Sequence, residues 1–141
     1  MKILLSPLGL SPGLLYSAIM LIKPEKVLIL TSEAAQACLP EIFARCSYRG
    51  EYETIIVDDP FLAFDQWIRI EPVIAKVFET DEVWVNITGG TTALQHLVQK
   101  AAGKLACGGN LVHIVALVDR RGVVEQKANP FEVGEMVMLE E

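Results

Sequence analysis

Short runs of aliphatic and β-branched residues alternate along this chain with stretches whose apolar residues recur at helical spacing. The runs predict five strands, at residues 3–5, 27–30, 52–57, 83–87 and 111–118. The stretches between them predict four helices, at about 11–22, from 32 with a break at Pro40, at 64–78 with a kink at Pro72, and from the turn after residue 87 to about 106. This alternation favours a Rossmann-like α/β fold, a three-layer sandwich around a mostly parallel sheet.

The two ends of this pattern carry more specific predictions. Ser11 is a good N-cap for the first helix, and Pro12 suits its first turn. Near the other end, residues 119–122 have the composition of a hairpin turn that leads into Val123 and Val124. We therefore expect an antiparallel edge hairpin at the C-terminal end of the sheet, with one more short strand at 133–139. The length fits one domain over residues 1–141.

Composition restricts the partners of the chain. Hydrophobic residues make up 52% and charged residues 21%, which excludes disorder and suits either a covered sheet or a buried oligomer interface. The net charge of −6 argues against binding of duplex nucleic acid. No apolar run reaches the roughly 18 residues of a membrane span, and early prolines and glycines interrupt the signal-like N-terminus, so we expect a cytoplasmic protein with no membrane partner. Three cysteines without CxxC spacing predict free thiols, at positions 38, 46 and 107.

The segment at 86–93, Asn-Ile-Thr-Gly-Gly-Thr-Thr-Ala, carries the strongest chemical signal. It links a predicted strand to the start of a predicted helix. Paired glycines allow close approach of a ligand, and the unpaired N–H groups of a helix N-terminus favour an anion. The sequence therefore predicts a site for a phosphate-like ligand at this turn.

A second loop with the same features, Leu-Gly-Leu-Ser-Pro-Gly at 8–13, follows the first strand. In the strand order 3-2-1-4-5, strands 1 and 4 are neighbours, and both loops border one crevice. A flavodoxin-type order would instead bring Asp58 and Asp59 to the crevice, although capping of a turn is the simpler role for this pair. Neither the GxGxxG spacing of dinucleotide sites nor a P-loop is present, which argues against NAD, FAD and P-loop ATP chemistry.

Other polar residues give weaker signals. His96 lies off the apolar face of its helix and is expected to be exposed, while His113 lies in an apolar strand and is expected to belong to the core. Arg120 and Arg121 fit a solvated turn. The spacing shows no Ser–His–Asp set and no metal-ligand cluster, so we predict no metal and no cofactor.

The first strand running into LSPLGLSPGLL, together with NITGGTTAL after the fourth strand, resembles the CARF domain, the CRISPR-associated Rossmann fold. The resemblance implies a homodimer that binds cyclic oligoadenylate, as tetra- or hexa-adenylate, across its twofold axis. The candidate ligand-binding residues lie in these two loops and at the ends of the second and fourth strands. They are Gly9, Leu10, Ser11, Thr31, Ser32, Asn86, Thr88, Gly89, Gly90, Thr91 and Thr92.

A CARF domain of this size resembles ring nucleases, in which a ribose 2′-hydroxyl attacks the adjacent phosphorus and leaves a 2′,3′-cyclic phosphate without a metal. The resemblance implies catalytic roles for Ser11, Thr91 and Thr92 in aligning the phosphate. Many relatives carry lysine at the position of Thr92, and its absence implies a lower cleavage rate, a transfer of its role to a residue such as Lys104 or Arg120, or a protein that only binds the ring. The alternatives are a non-catalytic sensor, alone or as half of a larger effector, and an unrelated Rossmann protein with a phosphate ligand.

Overall fold

The computed structural model describes residues 1–140 as six strands and six helices. The strands are β1 (Lys2–Leu8), β2 (Lys26–Ser32), β3 (Glu51–Val57), β4 (Glu82–Asn86), β5 (Leu111–Val118) and β6 (Glu135–Glu140). The helices are α1 (Gly13–Ile22), α2 (Glu33–Gln36), α3 (Leu39–Cys46), α4 (Trp67–Ile74), α5 (Thr92–Cys107) and α6 (Val123–Ala128), with a 3₁₀ turn at Ala63–Asp65. Within residues 1–140, no helix has both the length and the hydropathy needed to cross a bilayer.

All six strands form one sheet in the order β3-β2-β1-β4-β5-β6. The first five strands are parallel, and β6 pairs antiparallel with β5. The predicted order 3-2-1-4-5 is therefore confirmed, and the flavodoxin-type order is wrong. Asp58 and Asp59 consequently follow the edge strand β3 and not a neighbour of β1. Asp59 accepts a hydrogen bond from the N–H of Phe61 at 2.9 Å, as expected for a turn cap.

Two apolar cores cover the two faces of the sheet and make the three-layer sandwich. On one face, the side chains of β1, β4 and α5 pack together, with Leu5, Val85 and Leu97 all 0% exposed. On the opposite face, Leu4 and Ile29 pack with α1 and α3. Because both faces are covered, the parallel strands are nearly continuous apolar runs, which is why the sequence pattern located them.

The predicted hairpin at Val123 and Val124 is wrong, because these residues begin helix α6 and are 66% and 82% exposed. The side of β5 that they would have paired with is occupied by β6, and the predicted strand at 133–139 is thereby confirmed. Arg121 accounts for the different path of the chain. Its guanidinium bonds the carboxylate of Asp119 and the carbonyl oxygen of Asn129, which joins the two ends of the segment containing α6.

Two helix predictions also need correction. Ser11 is not an N-cap, since Pro12 occupies that position in α1 without any side-chain hydrogen bond. The predicted helix at 64–78 is reduced to the 3₁₀ turn and the eight residues of α4, with Pro72 inside α4. Ser32 does cap α2, by accepting from the N–H of Ala35 at 3.2 Å.

Candidate ligand-binding site at the carboxyl ends of β1 and β4

The two glycine loops meet at the carboxyl edge of the sheet, as predicted. A Cβ atom on Gly9 would lie 2.8 Å from the Cα of Gly90 and 3.0 Å from its nitrogen. The two backbones are thus in direct contact, and only glycine fits at position 9. The contact brings the loop before α1 and the loop before α5 into one continuous backbone surface.

The second loop depends on two glycines with positive φ. Gly89 has φ of +91° and Gly90 has φ of +69°, a region that residues with a side chain rarely adopt. The carbonyl oxygen of Gly89 accepts a hydrogen bond from the side chain of Gln95 at 3.0 Å. This conformation turns the chain from β4 directly into α5.

The buried side chain of Asn86 stabilises this loop through hydrogen bonds and is not exposed to a ligand. Its side chain is 0% exposed, and its Nδ2 donates to Ser6 Oγ at 2.9 Å and to the carbonyl oxygen of Thr88 at 3.0 Å. Its Oδ1 accepts from both the backbone N–H and the hydroxyl of Thr88. Every polar atom of the amide is therefore used inside the protein, which makes Asn86 a positioning residue.

Thr88 and Thr31 also use their hydroxyls internally. The Thr88 hydroxyl donates to Asn86 and accepts from the N–H of Leu117 at 3.0 Å, so it bridges β4 and β5. The Thr31 hydroxyl is fully buried and donates to the carbonyl oxygen of Leu8 at 2.7 Å. These threonines fix the strand ends on which the loops stand.

Thr91 is the N-cap of α5. Its hydroxyl accepts from the N–H of Leu94 at 3.2 Å and donates to the carbonyl oxygen of Pro60, in the loop after β3. Ser32 has the equivalent capping role in α2 and is half-buried. Both hydroxyls are engaged with backbone, so their first contribution is to the ends of the helices.

Three predicted residues remain open to a ligand through their side chains: Leu10, Ser11 and Thr92 are exposed. Among residues 1–140, neither the Ser11 hydroxyl nor the Thr92 hydroxyl makes a hydrogen bond. The backbone N–H groups of Gly90 and Thr92, which are not buried, also find no acceptor in this part of the chain. This surface combines free donors with the positive end of the 16-residue helix α5, and it suits an anion.

A cavity of about 430 Å³ adjoins the first loop. It lies between residues 10–14 and helix α6, and its lining includes Ser11, Gln126 and Lys127. The sequence did not predict this cavity, because the pattern predicts an edge strand at Val123 and Val124, where the structure has the start of helix α6. The run of helix formers Glu-Gln-Lys-Ala at 125–128 is the signal by which a short surface helix would have been recognised.

Lys127 is the cation nearest to this surface. Lys104 lies in the last turn of α5, twelve residues from Thr92 and so about 18 Å along the helix. Arg120 is paired with Glu135 at 2.9 Å. Lys127 lines the cavity together with Ser11 and forms no ion pair within residues 1–140. Of the cations considered, Lys127 is thus the one placed to meet a ligand.

Arg121 forms a mostly buried ion pair with Asp119, which lines the cavity. Arg121 is therefore not part of the solvated turn that the sequence predicts. The guanidinium donates to both carboxylate oxygens of Asp119, and each side chain is less than one fifth exposed. Hydrogen bonding from Arg121 lowers the pKa of Asp119 below its usual value. The carboxylate therefore stays ionised and neutralised, so it does not repel an anion in the cavity.

His96 lies on α5 one turn beyond Thr92, whereas His113 lies away from both loops. His96 is exposed on α5, as expected, and its ring is 5.8 Å from that of Phe64. The His113 ring lies against Trp84 at 4.3 Å and has its Nε2 3.8 Å from Glu82, at the start of β4. His113 is therefore mostly buried in the sheet, at the opposite end of β4 from the glycine turn.

Comparison with known proteins gives structural but no sequence-level relatives. No protein-family model matches the chain, and no curated protein matches it in sequence. Enterococcus italicus Csm6 bound to cyclic hexa-2′-fluoro-hexa-dAMP superposes with a TM-score of 0.65 at 12% identity, over 97% of this chain and 42% of that one. Can2 from Sulfobacillus thermosulfidooxidans in complex with cyclic tetra-adenylate gives 0.66 at 16% identity, over 84% and 32%.

A third structure, a type III CRISPR defence DNA nuclease activated by cyclic oligoadenylate, gives 0.62 at 20% identity, over 79% of this chain and 18% of that one. The chain has the fold of these proteins. The resemblance to CARF domains, inferred from two short loops, is thereby confirmed at the level of the fold. The chain spans less than half the length of each of the three.

Proposed function

We propose that this protein binds a cyclic oligoadenylate on the surface formed by the two glycine loops. The contact between Gly9 and Gly90 carries the proposal, because it places the first loop beside the free N–H groups at the start of α5. A cyclic oligoadenylate presents phosphodiesters around a ring, and backbone donors suit them without a large positive charge. Two of the structures with this fold were solved with cyclic adenylate-type ligands.

The proposed binding unit is a homodimer, in which two copies of the surface face one ring. Exposed apolar side chains near the loops support an interface there, with Leu10 at 78% and Phe61 at 73% exposure. The outer face of α1 contributes less than its sequence suggests, since Tyr16 is already covered by Phe131 of the same chain. Light scattering with and without ligand measures the mass, and a monomer in both states contradicts the dimer.

Binding is tested by isothermal titration of cyclic tetra-adenylate and cyclic hexa-adenylate, with the linear oligomers of the same length as controls. We expect one ring to bind with one molecule per two chains and the linear forms to bind at least about tenfold more weakly, because they lack the preorganised ring. If neither ring binds, the proposal is overturned and the alternative of a Rossmann protein with another phosphate ligand is favoured. Comparison of the two affinities shows which ring size, four or six nucleotides, this protein prefers.

Cleavage of the bound ring is the second candidate, favoured by the exposed and unpaired Ser11 hydroxyl beside Lys127. In this reaction a ribose 2′-hydroxyl gives up its proton to water as its oxygen forms a bond to the adjacent phosphorus, the bond from phosphorus to the 5′-oxygen breaks, and that oxygen takes up a proton from water. Ser11 would orient a phosphate oxygen, and the N–H groups at the start of α5 would stabilise its developing charge.

Labelled ring incubated with the protein, with and without EDTA, separates the enzyme from the sensor. Linear products that end in a 2′,3′-cyclic phosphate in both conditions support cleavage. An intact ring that still binds supports the sensor. For an enzyme, Ser11→Ala is expected to lower the cleavage rate about 100-fold, with Ser11→Thr retaining most of it. An unchanged rate in Ser11→Ala contradicts this role of Ser11.

A further inference from the structure

The cavity between residues 10–14 and α6 adjoins the candidate site. The proposed phosphate contacts assign no ligand group to its apolar part. Its volume of about 430 Å³ is in the range of small-molecule sites. Apolar side chains of Leu10, Leu14 and Val123 contribute to its lining, and Gln126 adds a polar group. Ser11 belongs both to the candidate phosphate surface and to the lining of this cavity, so the two adjoin.

The orientation of Gln126 gives the cavity a chemical preference. Its Nε2 donates to the carbonyl oxygen of Arg121 at 2.8 Å and to that of Asp119 at 3.4 Å. Two carbonyl acceptors fix which end of the amide is the nitrogen, and both of its hydrogens are engaged. Gln126 lines the cavity and its Oε1 accepts no hydrogen bond within residues 1–140, so the amide has an acceptor available to a ligand and no free donor.

From this arrangement we infer that the cavity binds one purine base of the ring and that Gln126 Oε1 accepts a hydrogen bond from its 6-amino group. This inference rests on the proposed function and specifies how that site selects its ligand. The Oε1 atom can accept a hydrogen bond from the 6-amino group of adenine. It has no hydrogen to donate, so it repels the 6-oxo group of hypoxanthine or guanine. Gln126 is therefore a specificity-determining residue for adenine.

The decisive experiment compares cyclic tetra-adenylate with cyclic tetra-inosinate, in which each base has a 6-oxo group and an N1–H in place of the 6-amino group and the unprotonated N1. We expect the wild-type protein to bind the adenine ring about tenfold more tightly, the size of one well-placed hydrogen bond. Gln126→Ala is expected to bring the ratio of the two dissociation constants close to one. An unchanged ratio in this variant overturns the inference while leaving the proposed function intact.

A matched pair on α6 tests the cavity without changing the amide. Val123 lines the cavity, whereas its neighbour Val124 does not and is 82% exposed. Val123→Trp is expected to weaken binding of cyclic tetra-adenylate at least about tenfold, and Val124→Trp to leave it within about twofold. Equal affinities in the two variants contradict a base in the cavity. Failure of the wild-type protein to bind either ring overturns this inference together with the proposed function.

Discussion

Asn86 determines the shape of the second glycine loop although it is shielded from any ligand. Its amide bonds four groups of the loop and strand β1: the N–H, hydroxyl and carbonyl oxygen of Thr88, and Ser6 Oγ. A buried polar group that loses its partner retains its desolvation cost, so removing the amide harms every group that it serves. Asparagine at this position thus affects binding through the loop.

Replacing Asn86 with alanine is expected to lower the free energy of unfolding by about 2–3 kcal/mol, because Ser6 and the N–H and carbonyl oxygen of Thr88 each lose the hydrogen-bond partner that the buried amide supplies. Urea denaturation measures the change. Thr92→Ala is the control, since Thr92 is exposed and its hydroxyl is unbonded within residues 1–140, and it is expected to change stability by less than about 0.5 kcal/mol. Equal stability of the two variants contradicts the role of Asn86.

Asp119 makes the stability of the protein depend on pH. Arg121 lowers the pKa of Asp119 in the folded state, so the ionised carboxylate stabilises the fold above its ordinary pKa of about 3.9. This stabilisation is lost as the pH falls below that value and through the lowered pKa of the folded state. Asp119→Asn is therefore expected to be less stable than the wild type at pH 7, with a difference that shrinks below about pH 4.

Unfolding by urea at a series of pH values from 7 to 3 measures this difference. Asp65→Asn is the control, because Asp65 forms no ion pair within residues 1–140 and lies in the exposed 3₁₀ turn. A difference between Asp119→Asn and the wild type that stays constant across the series contradicts the expected role of the Asp119–Arg121 pair.

At the scale of elements, the sequence determined the strands and the sheet order but not the segment after β5. The strands are buried on both faces, so their apolar runs are unambiguous. The segment at 119–134 is held instead by the contacts of Arg121 with Asp119, Asn129 and Glu132, which no periodicity reveals. The cavity was missed for the same reason, since α6 forms one wall of it.

The site shows the same division. The two loops were found because glycines and hydroxyls at strand ends are a local signal. Hydrogen bonds between elements decide which of the predicted residues can reach a ligand. They bury Asn86 and Thr31, whereas Ser11 stays exposed. Those bonds are long-range in sequence, so only the structure assigns Asn86, Thr31 and Thr88 to support of the loops.

The close approach of the β1 and β4 loops gives an element-scale prediction. Gly9→Ala is expected to lower the free energy of unfolding by about 2 kcal/mol, because its Cβ would lie 2.8 Å from Gly90 Cα and the backbone must move. It is also expected to weaken binding of the ring by separating the loops. Gly103→Ala in α5, where a Cβ meets nothing within 4 Å, is expected to stabilise the protein by about 1 kcal/mol.

Both changes are measured by urea denaturation, and binding by titration with cyclic tetra-adenylate. A Gly9→Ala protein with wild-type stability and affinity would contradict the requirement for backbone contact between the loops.

At the scale of the whole molecule, the fold supplies a ligand surface to a chain of net charge −6. The carboxyl ends of β1 and β4 lie together at the centre of the sheet, and the two helices that follow them begin there. Local donors would hold a small anion on the proposed surface, while the overall field opposes long polyanions. The architecture thus suits a compact ring better than a duplex.

The free N–H groups at the start of α5 have a consequence for the response of binding to ionic strength. Side-chain cations release condensed counterions when they bind a nucleic acid, with a slope of about −0.7 per phosphate contact in single strands. Backbone N–H groups carry no net charge and release few ions, and Lys127 is the one unpaired cation found in the cavity lining. A plot of log affinity against log salt is therefore expected to have a slope shallower than about −2 for the dimer. A steep slope would point to lysines and arginines, rather than the backbone, as the phosphate contacts.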